Sequence, residues 1–586
     1  QRPTMDSVLF FSNNVYDSSV CTIDDSVYLK YSSSEILRSK NSSIANTFPD
    51  RIYELGDFYY AVYCITGSES EGIIPFNIFD YVDIVGNVGL DVNSSSNGEN
   101  IIFDMTNPSD FVLGSIYSRE GNEKNGYWNS SNRSLEITIP VDNDATLAEG
   151  AIQIQVKFNE AYNDLGELIS ISENSLGRDT TIIVEGDLFI NQEEFFNEED
   201  AFFRAMVWDK SGNLVISEVS NSIIHIDTIT SVLSNIYIKS NNLDTTLAKV
   251  GDSLFINFEA NELLDSVSIL VYQNLSNFQN IDFNWESFYR FQESDIEGIV
   301  PFSIYTEDLA GNINPIISET SDSSEVLFDK TKPNLEIVQF YSSNSLNPEV
   351  AIIGDTLFLN VLSNESLSDI NMYISGNEEG YNIVDTIFSN NMDNLSFLGY
   401  KILNGTEEEG YILFKIGYSD LAGNIADTVD ITTDSSSILF DSTPPESFLI
   451  EDIFANNGNE IDGYWNSTND NLVFVIPIPD DNTMPGGGIQ IQSSFSDSNY
   501  LNLGDLYSVG EEDLNNNKTI IISKDQFEML EGFNENIDVD FRANMWDKAG
   551  NTTTSLDSSI NQFHIDIVDP MISSINIFSN NVLDSS

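Results

Sequence analysis

The sequence predicts an all-β protein built from tandem β-sandwich repeats. Three observations carry this. Apolar residues alternate in short runs, as in VGDSLFINF (Val250–Phe258), where Leu254, Ile256 and Phe258 fall on one face and Phe255 and Asn257 on the other. Clusters of Gly, Asn and Asp interrupt such runs about every 8–12 residues, the spacing of a sandwich. Blocks of about 105–125 residues then recur along the chain. Helical periodicity is nearly absent; only NQEEFFNEEDAFF (Asn191–Phe203) has room for one turn.

Two repeat types appear. The short type carries VGDSLFINF, IGDTLFLNV (Ile353–Val361) or IDDSVYLKY (Ile23–Tyr31), and later a Glu-rich turn such as GTEEEGYILFKI (Gly405–Ile416). The long type opens with GYWNSSN (Gly126–Asn132) or GYWNSTN (Gly463–Asn469) and continues through LEITIPVDND (Leu135–Asp144) or LVFVIPIPDD (Leu472–Asp481). This divides the chain into 1–108 (short), 109–229 (long), 230–333 (short), 334–445 (short), 446–569 (long) and 570–586, the first strand of a further repeat. FSNNVYDSS (Phe11–Ser19) returns as FSNNVLDSS (Phe578–Ser586), so the sequence reads as an excerpt of a longer array.

Each repeat carries Asp-x-x-Gly-Asn near its end: Asp83–Asn87, Asp209–Asn213, Asp308–Asn312, Asp420–Asn424 and Asp547–Asn551. Asp accepting backbone N–H groups, with Gly in the left-handed region, is a tight turn between the last two strands. Roughly 16–20 residues later an apolar strand ends in a second recurring Asp: Asp104, Asp227, Asp329, Asp441 and Asp566. Pro follows in four of the five cases, which marks a stiff boundary.

Together, GYWN…VFVIPIPDDN…GGIQIQ…WDKAGN…IDIVDP resembles the bacterial immunoglobulin-like repeats of large extracellular adhesins and surface proteins, and VGDSLFINF…NELL…DLAGN…FDKTKP is similar to the related repeat of such arrays. HIDTIT and HIDIVDP depart from the D-x-T-x-P of the other boundaries. The resemblance implies a tandem array of immunoglobulin-like β-sandwich domains, head to tail, at the cell surface. Such modules act as spacers, adhesive tips and decorations, so the resemblance says more of fold than of function.

In a head-to-tail array each boundary Asp faces two loops of the next domain. Asp104 then meets Asp142, Asp144 and Asp209; Asp227 meets Glu262 and Asp308; Asp329 meets Glu365 and Asp420; Asp441 meets Asp480, Asp481 and Asp547. Three or four carboxylates in a small volume suit calcium, which takes six to eight oxygens in tolerant geometry. The alternative is that these acids cap turns and face water, a coincidence that an acidic chain makes common.

The chain has 94 Asp plus Glu against 23 Lys plus Arg, a formal net charge of −71. That argues against nucleic acid and anionic membrane as partners, and favours salt or bound cations to offset the self-repulsion. No run of 18 apolar residues exists, so the segment inserts no helix into a membrane. Cys21 and Cys64 are the only cysteines, both in the first repeat, leaving a single disulfide open. His225 and His564 recur at one position without a nucleophile beside them, and no phosphate loop or CxxC pair occurs, so an enzyme is not expected. Trp128 and Trp465 recur at one position, as core residues or as glycan-binding candidates. Three readings follow: a non-enzymatic extracellular stalk with calcium at its joints, the body of a self-assembling filament or layer, and a glycan-binding array. The partners expected are neighbouring repeats, further copies, or a surface glycan or protein receptor.

Overall fold

The strand alternation read from the sequence holds in the computed structural model, which describes residues 1–375, 382–384, 386–389, 394–496, 499–557 and 561–577. In Ser253–Ala260 the residues Leu254, Ile256, Phe258 and Ala260 are buried and the intervening ones are not. In Ser134–Val141 the buried set includes Leu135, Ile137, Ile139 and Val141. Nearly all regular structure is strand. Among the described residues the two α-helices are single turns, Gly186–Ile190 and Lys524–Glu528. The first lies just before the stretch expected to hold a turn, and its Phe189 sits in the core under Trp128.

The chain forms two compact units, residues 1–239, 254–289 and 300–325 in one, and 240–253, 290–299 and 326–586 in the other. Each contains β-sheets facing one another across apolar cores. In the first unit one core runs from Val8 to Phe103 and a second from Leu113 to Ile226. In the second unit one core runs from Leu335 to Phe440 and another from Phe448 to Ile565. The first repeat shows the sheet order of the short type: Met5–Ser12, Ser26–Ser33, Phe58–Cys64 and Arg51–Leu55 form one sheet, while Leu37–Ile44 pairs with Phe76–Asp83.

One pairing recurs in every repeat. A two- or three-residue strand near the start lies parallel to the strand that ends the domain: Val20–Cys21 on Ile102–Phe103, Tyr127–Trp128 on Ile224–Ile226, Leu247–Ala248 on Leu327–Phe328, Val350–Ala351 on Leu439–Phe440, and Tyr464–Asn466 on Gln562–Asp566. Parallel first-to-last pairing within two antiparallel sheets is the immunoglobulin-like arrangement, so the chain is an all-β tandem array of immunoglobulin-like sandwiches.

The sequence and the fold part in two places, and the fold decides the disulfide that the sequence left open. The arm leaving each Asp-x-x-Gly-Asn turn is short, three residues in Leu214–Ile216 and single bridges such as Val82 with Val88 and Glu307 with Ile313, so the domain-ending strand is a separate segment. Cys21 is buried and Cys64 exposed, and they are not bridged. The repeated motif at 578–586 lies outside the described residues. Trp128 and Trp465 are not available to a glycan: they are 2% and 0% exposed, packed edge-on against Phe189 and Phe527. Their indoles fill the gap between the sheets beside the helical turn. Replacing Trp465 with alanine should therefore destabilise its domain by about 3–5 kcal/mol, read as a fall in the urea midpoint.

Candidate functional site: the interdomain joints

The turn is built from one carboxylate. Asp308 Oδ1 accepts the Asn312 N–H at 2.8 Å, and its Oδ2 accepts Asn312 Nδ2 at 3.0 Å. The Asp209, Asp420 and Asp547 turns repeat both bonds. Gly311 has φ 92°, open to glycine, and an added Cβ there would lie 2.9 Å from Nδ2 of both Asn122 and Asn129 in the preceding domain. The glycine thus serves the turn and the joint.

The last residue of the turn is the one the sequence did not single out. Its Nδ2 reaches the boundary carbonyl of the preceding domain: Asn213 to Asp104 O at 3.1 Å, Asn312 to Asp227 O at 2.9 Å, Asn424 to Asp329 O at 3.1 Å and Asn551 to Asp441 O at 2.9 Å. The boundary Asp is placed for this by its own domain. Its N–H extends the parallel strand pairing, as Asp104 N–H donates to Cys21 O at 3.0 Å and Asp441 N–H to Ala351 O at 3.0 Å. Its carbonyl therefore faces forward.

A second amide runs in the opposite direction. In the preceding domain, Asn14, Asn129, Asn242 and Asn344 donate Nδ2 to turn carbonyls of Ser211 (2.9 Å), Ala310 (2.7 Å), Ala422 (2.7 Å) and Ala549 (2.8 Å). In short repeats the Asp of the GDS-type motif holds this amide: Asp25, Asp252 and Asp355 accept from Asn14, Asn242 and Asn344. In the long repeat Asn129 Oδ1 instead accepts from Ser131, fixing the WNSSN turn. Lysines reinforce three joints although the chain has few: Lys210 pairs with Asp17 (2.8 Å), Lys124 with Asp265 and Glu307 (2.6 and 2.8 Å), and Lys332 with Asp427 (3.0 Å).

The carboxylates fall into two arrangements. Asp227, Glu262 and Asp308 each present an oxygen within 4.8 Å of the others, and Asp329, Glu365 and Asp420 do the same. Oxygens 2.3–2.6 Å from a calcium ion lie at most about 5 Å apart, so both triads fit that ion. Where a long repeat follows, the loop acid is otherwise engaged. Asp144 Oδ1 accepts from Thr146 N–H (2.9 Å) and Oγ1 (2.8 Å), and Asp481 Oδ1 from Thr483 N–H (2.8 Å) and Oγ1 (2.7 Å). Boundary and turn acids still meet there, and Oδ2 of Asp104 and of Asp441 is buried with no hydrogen-bond partner among the described residues.

Two residues expected at these joints are not turned into them. Asp142 is exposed and accepts from Ser109 Oγ at 2.8 Å, which holds its carboxyl below the usual range. Asp480 is exposed in the bend beyond the strand Asn471–Pro477, while the half-buried Asp481 caps the loop through Thr483.

Burial, with neighbouring carboxylates adding to it, raises the pKa of Asp209, Glu262 and six further acids at the joints. Burial pushes Asp209 up to about 6, with Asp104 adding to it. Burial beside Asp227 and Asp308 pushes Glu262 up to about 7. Asp104, Asp227, Asp329, Glu365, Asp441 and Asp547 are raised for the same reasons. The ordinary glutamate value is 4.5, so the folded chain holds the Glu262 proton more tightly than the unfolded one. Its stabilisation is present below about 4.5 and is lost as pH rises through about 7. In EDTA, Glu262 should contribute about 1 kcal/mol to the difference between urea melts at pH 5 and pH 8, after allowance for solvent screening, and Glu262→Gln should reduce that difference by this amount.

Each histidine lies opposite an acid on the neighbouring strand. His225 Nδ1 lies 2.8 Å from Asp200 Oδ1 and His564 Nδ1 lies 2.7 Å from Asp538 Oδ1, each edge-on to a tyrosine. Among the described residues no helix is long and apolar enough to cross a membrane.

No protein-family model matches the sequence, and no curated protein matches it. Among solved structures, the I-band fragment I67-I69 from titin is similar over 58% of this chain and 100% of that one, at 10% identity and TM-score 0.26. The ICAM-5 D1-D4 ectodomain fragment covers 72% of this chain and 99% of its own, at 10% identity and TM-score 0.27. The chicken CNTN1 FN1-FN3 domains cover 57% and 96%, at 8% identity and TM-score 0.22.

Proposed function

We propose that the chain is a non-enzymatic structural or adhesive stalk of an extracellular surface protein, with domain boundaries as the sequence divides them. The observation that carries this reading is the paired-amide joint, repeated with the same chemistry at four successive boundaries. A spacer without mechanical duty has no need of a repeated, directional lock between modules. In this reading each sandwich resists unfolding through its own core, and the joints limit bending.

Calcium is the cation proposed for Asp227–Glu262–Asp308 and Asp329–Glu365–Asp420. A bound divalent ion supplies the positive charge that three converging carboxylates lack. Glu262 and Glu365 reach from the following domain toward Asp227 and Asp329, so an ion held by each triad ties two domains together. The boundary carbonyl is already taken by the turn Asn, and the remaining coordination falls to carboxylates and solvent. Small-angle scattering of the chain with calcium and with EGTA tests this: the interdomain distance distribution should broaden on chelation, and an unchanged profile would remove calcium from the account.

A further inference from the structure

The first long repeat buries Trp128 but turns its other tryptophan outward. Along Asp200–Trp208 the residues Ala201, Phe203, Ala205 and Val207 lie in the core, so Phe202, Arg204, Met206 and Trp208 share the opposite face of the sheet, and all four are partly exposed. The neighbouring strand Ala151–Lys157 sets Ala151 opposite Trp208, Gln155 opposite Arg204 and Lys157 opposite Phe202. Opposite residues of paired strands lie on one face, so Lys157 joins this one. Tyr162 closes that end: the Arg204 guanidinium is 3.9 Å from its ring centroid and Lys157 Nζ is 5.3 Å away. Trp208 and Arg204 stand about 13 Å apart, the rise of four strand residues.

The second long repeat shows how the outward tryptophan lies. The Trp546 indole rests on Gly488, the residue opposite it, where an added Cβ would come 2.8 Å from Cζ2. An indole laid on the adjacent strand turns its other ring face to solvent. Ala151, with the smallest side chain, holds the same place opposite Trp208.

This face presents donors without acceptors. Arg204 Nε donates to Gln155 Oε1 at 2.8 Å, but its terminal nitrogens, Lys157 Nζ and Trp208 Nε1 have no hydrogen bond or ion pair among the described residues. In a chain with 94 Asp plus Glu against 23 Lys plus Arg, two neighbouring cations without an acid stand out. The acids on this face are engaged elsewhere: Asp164 Oδ1 accepts from Gln155 Nε2 at 2.8 Å, and Asp200 Oδ1 lies 2.8 Å from His225 Nδ1.

We infer that this face binds an acidic oligosaccharide of the uronate type. An indole is a large apolar surface with one polar edge, which suits the C–H face and hydroxyls of a sugar ring. A guanidinium with its terminal nitrogens open takes a carboxylate in two parallel bonds, and Lys157 adds a point charge beside it. The separation of indole and guanidinium calls for an oligomer, not a single sugar. The second long repeat keeps Trp546 and Arg542 but has Ser494 and Asp540 where the first has Lys157 and Phe202, so the inference is confined to residues 109–229.

The test titrates the full chain by calorimetry with tetramers of galacturonate, of mannuronate and of alternating glucuronate and N-acetylglucosamine, in EGTA so that calcium cannot bridge. Cellotetraose and a polyglutamate peptide run beside them. At least one uronate probe should bind, added salt should weaken it, and Trp208→Ala and Arg204→Gln should each weaken it at least tenfold. Lys157→Gln touches no core residue and should weaken binding severalfold. The inference is overturned if no uronate probe binds, if cellotetraose or polyglutamate binds as tightly as the uronates, or if Arg204→Gln and Lys157→Gln bind as wild type does.

Discussion

Replacing Asn312 with alanine is expected to destabilise the joint by about 3 kcal/mol, because buried partners are left unsatisfied. Asn312 is 2% exposed and makes bonds in both directions. Its Nδ2 donates to Asp227 O and Asp308 Oδ2, and its Oδ1 accepts from Ser130 N–H (3.1 Å) and Oγ (2.9 Å). Alanine removes these bonds and leaves the Asp227 carbonyl and the Asp308 carboxylate short of donors. Asn87 is the internal control. It makes the same turn bonds to Asp83 but is only half-buried, with no amide bond to another domain. Asn87→Ala should cost about 1 kcal/mol, since only an intradomain bond is lost. Calorimetry of the two variants checks this, and equal losses would mean that the turn, not the joint, is what Asn stabilises.

Removing calcium is the second large effect. An ion that binds the folded joint at a hundredfold above its Kd stabilises it by about 2.7 kcal/mol. Chelation should then lower the unfolding temperature by on the order of 10 °C, since about 1 kcal/mol moves a domain of this size by several degrees. The loss should be reproduced by Glu262→Ala or Glu365→Ala in calcium. It should be smaller for Asp144→Ala, whose carboxyl caps its own loop through Thr146. If chelation leaves the melt unchanged while Glu262→Gln stabilises the chain, the triad is a set of raised-pKa acids without an ion.

Much of this was legible in the sequence, and what was not has a physical reason. Strand faces follow from alternation, so Leu254, Ile256 and Phe258 were placed correctly. The meeting of Asp227 with Glu262 and Asp308 follows from sandwich topology plus recurrence. The choice between Asp142 and Asp144, or Asp480 and Asp481, was not legible, because it depends on the side to which a loop residue turns. The amide lock was missed because Asn in a turn is explained by backbone tolerance alone, and this chain is rich in Asn. Its signal was present: Asn closes all five turns, and Asn14, Asn242 and Asn344 each precede a GDS-type Asp by 10 or 11 residues. The buried Trp128 and Trp465 illustrate the opposite limit. Recurrence marks a residue as needed, and only packing distinguishes a core ring from a binding ring.

The account rests on joints closed by amides around converging carboxylates, and a high-resolution density map of the Asp227 joint from crystals grown in calcium tests this most directly. The predicted map has Asn312 Nδ2 on Asp227 O, Asn129 Nδ2 on Ala310 O, and an ion between Asp227, Glu262 and Asp308. A map with both amides turned to solvent and the three carboxylates splayed apart would contradict it.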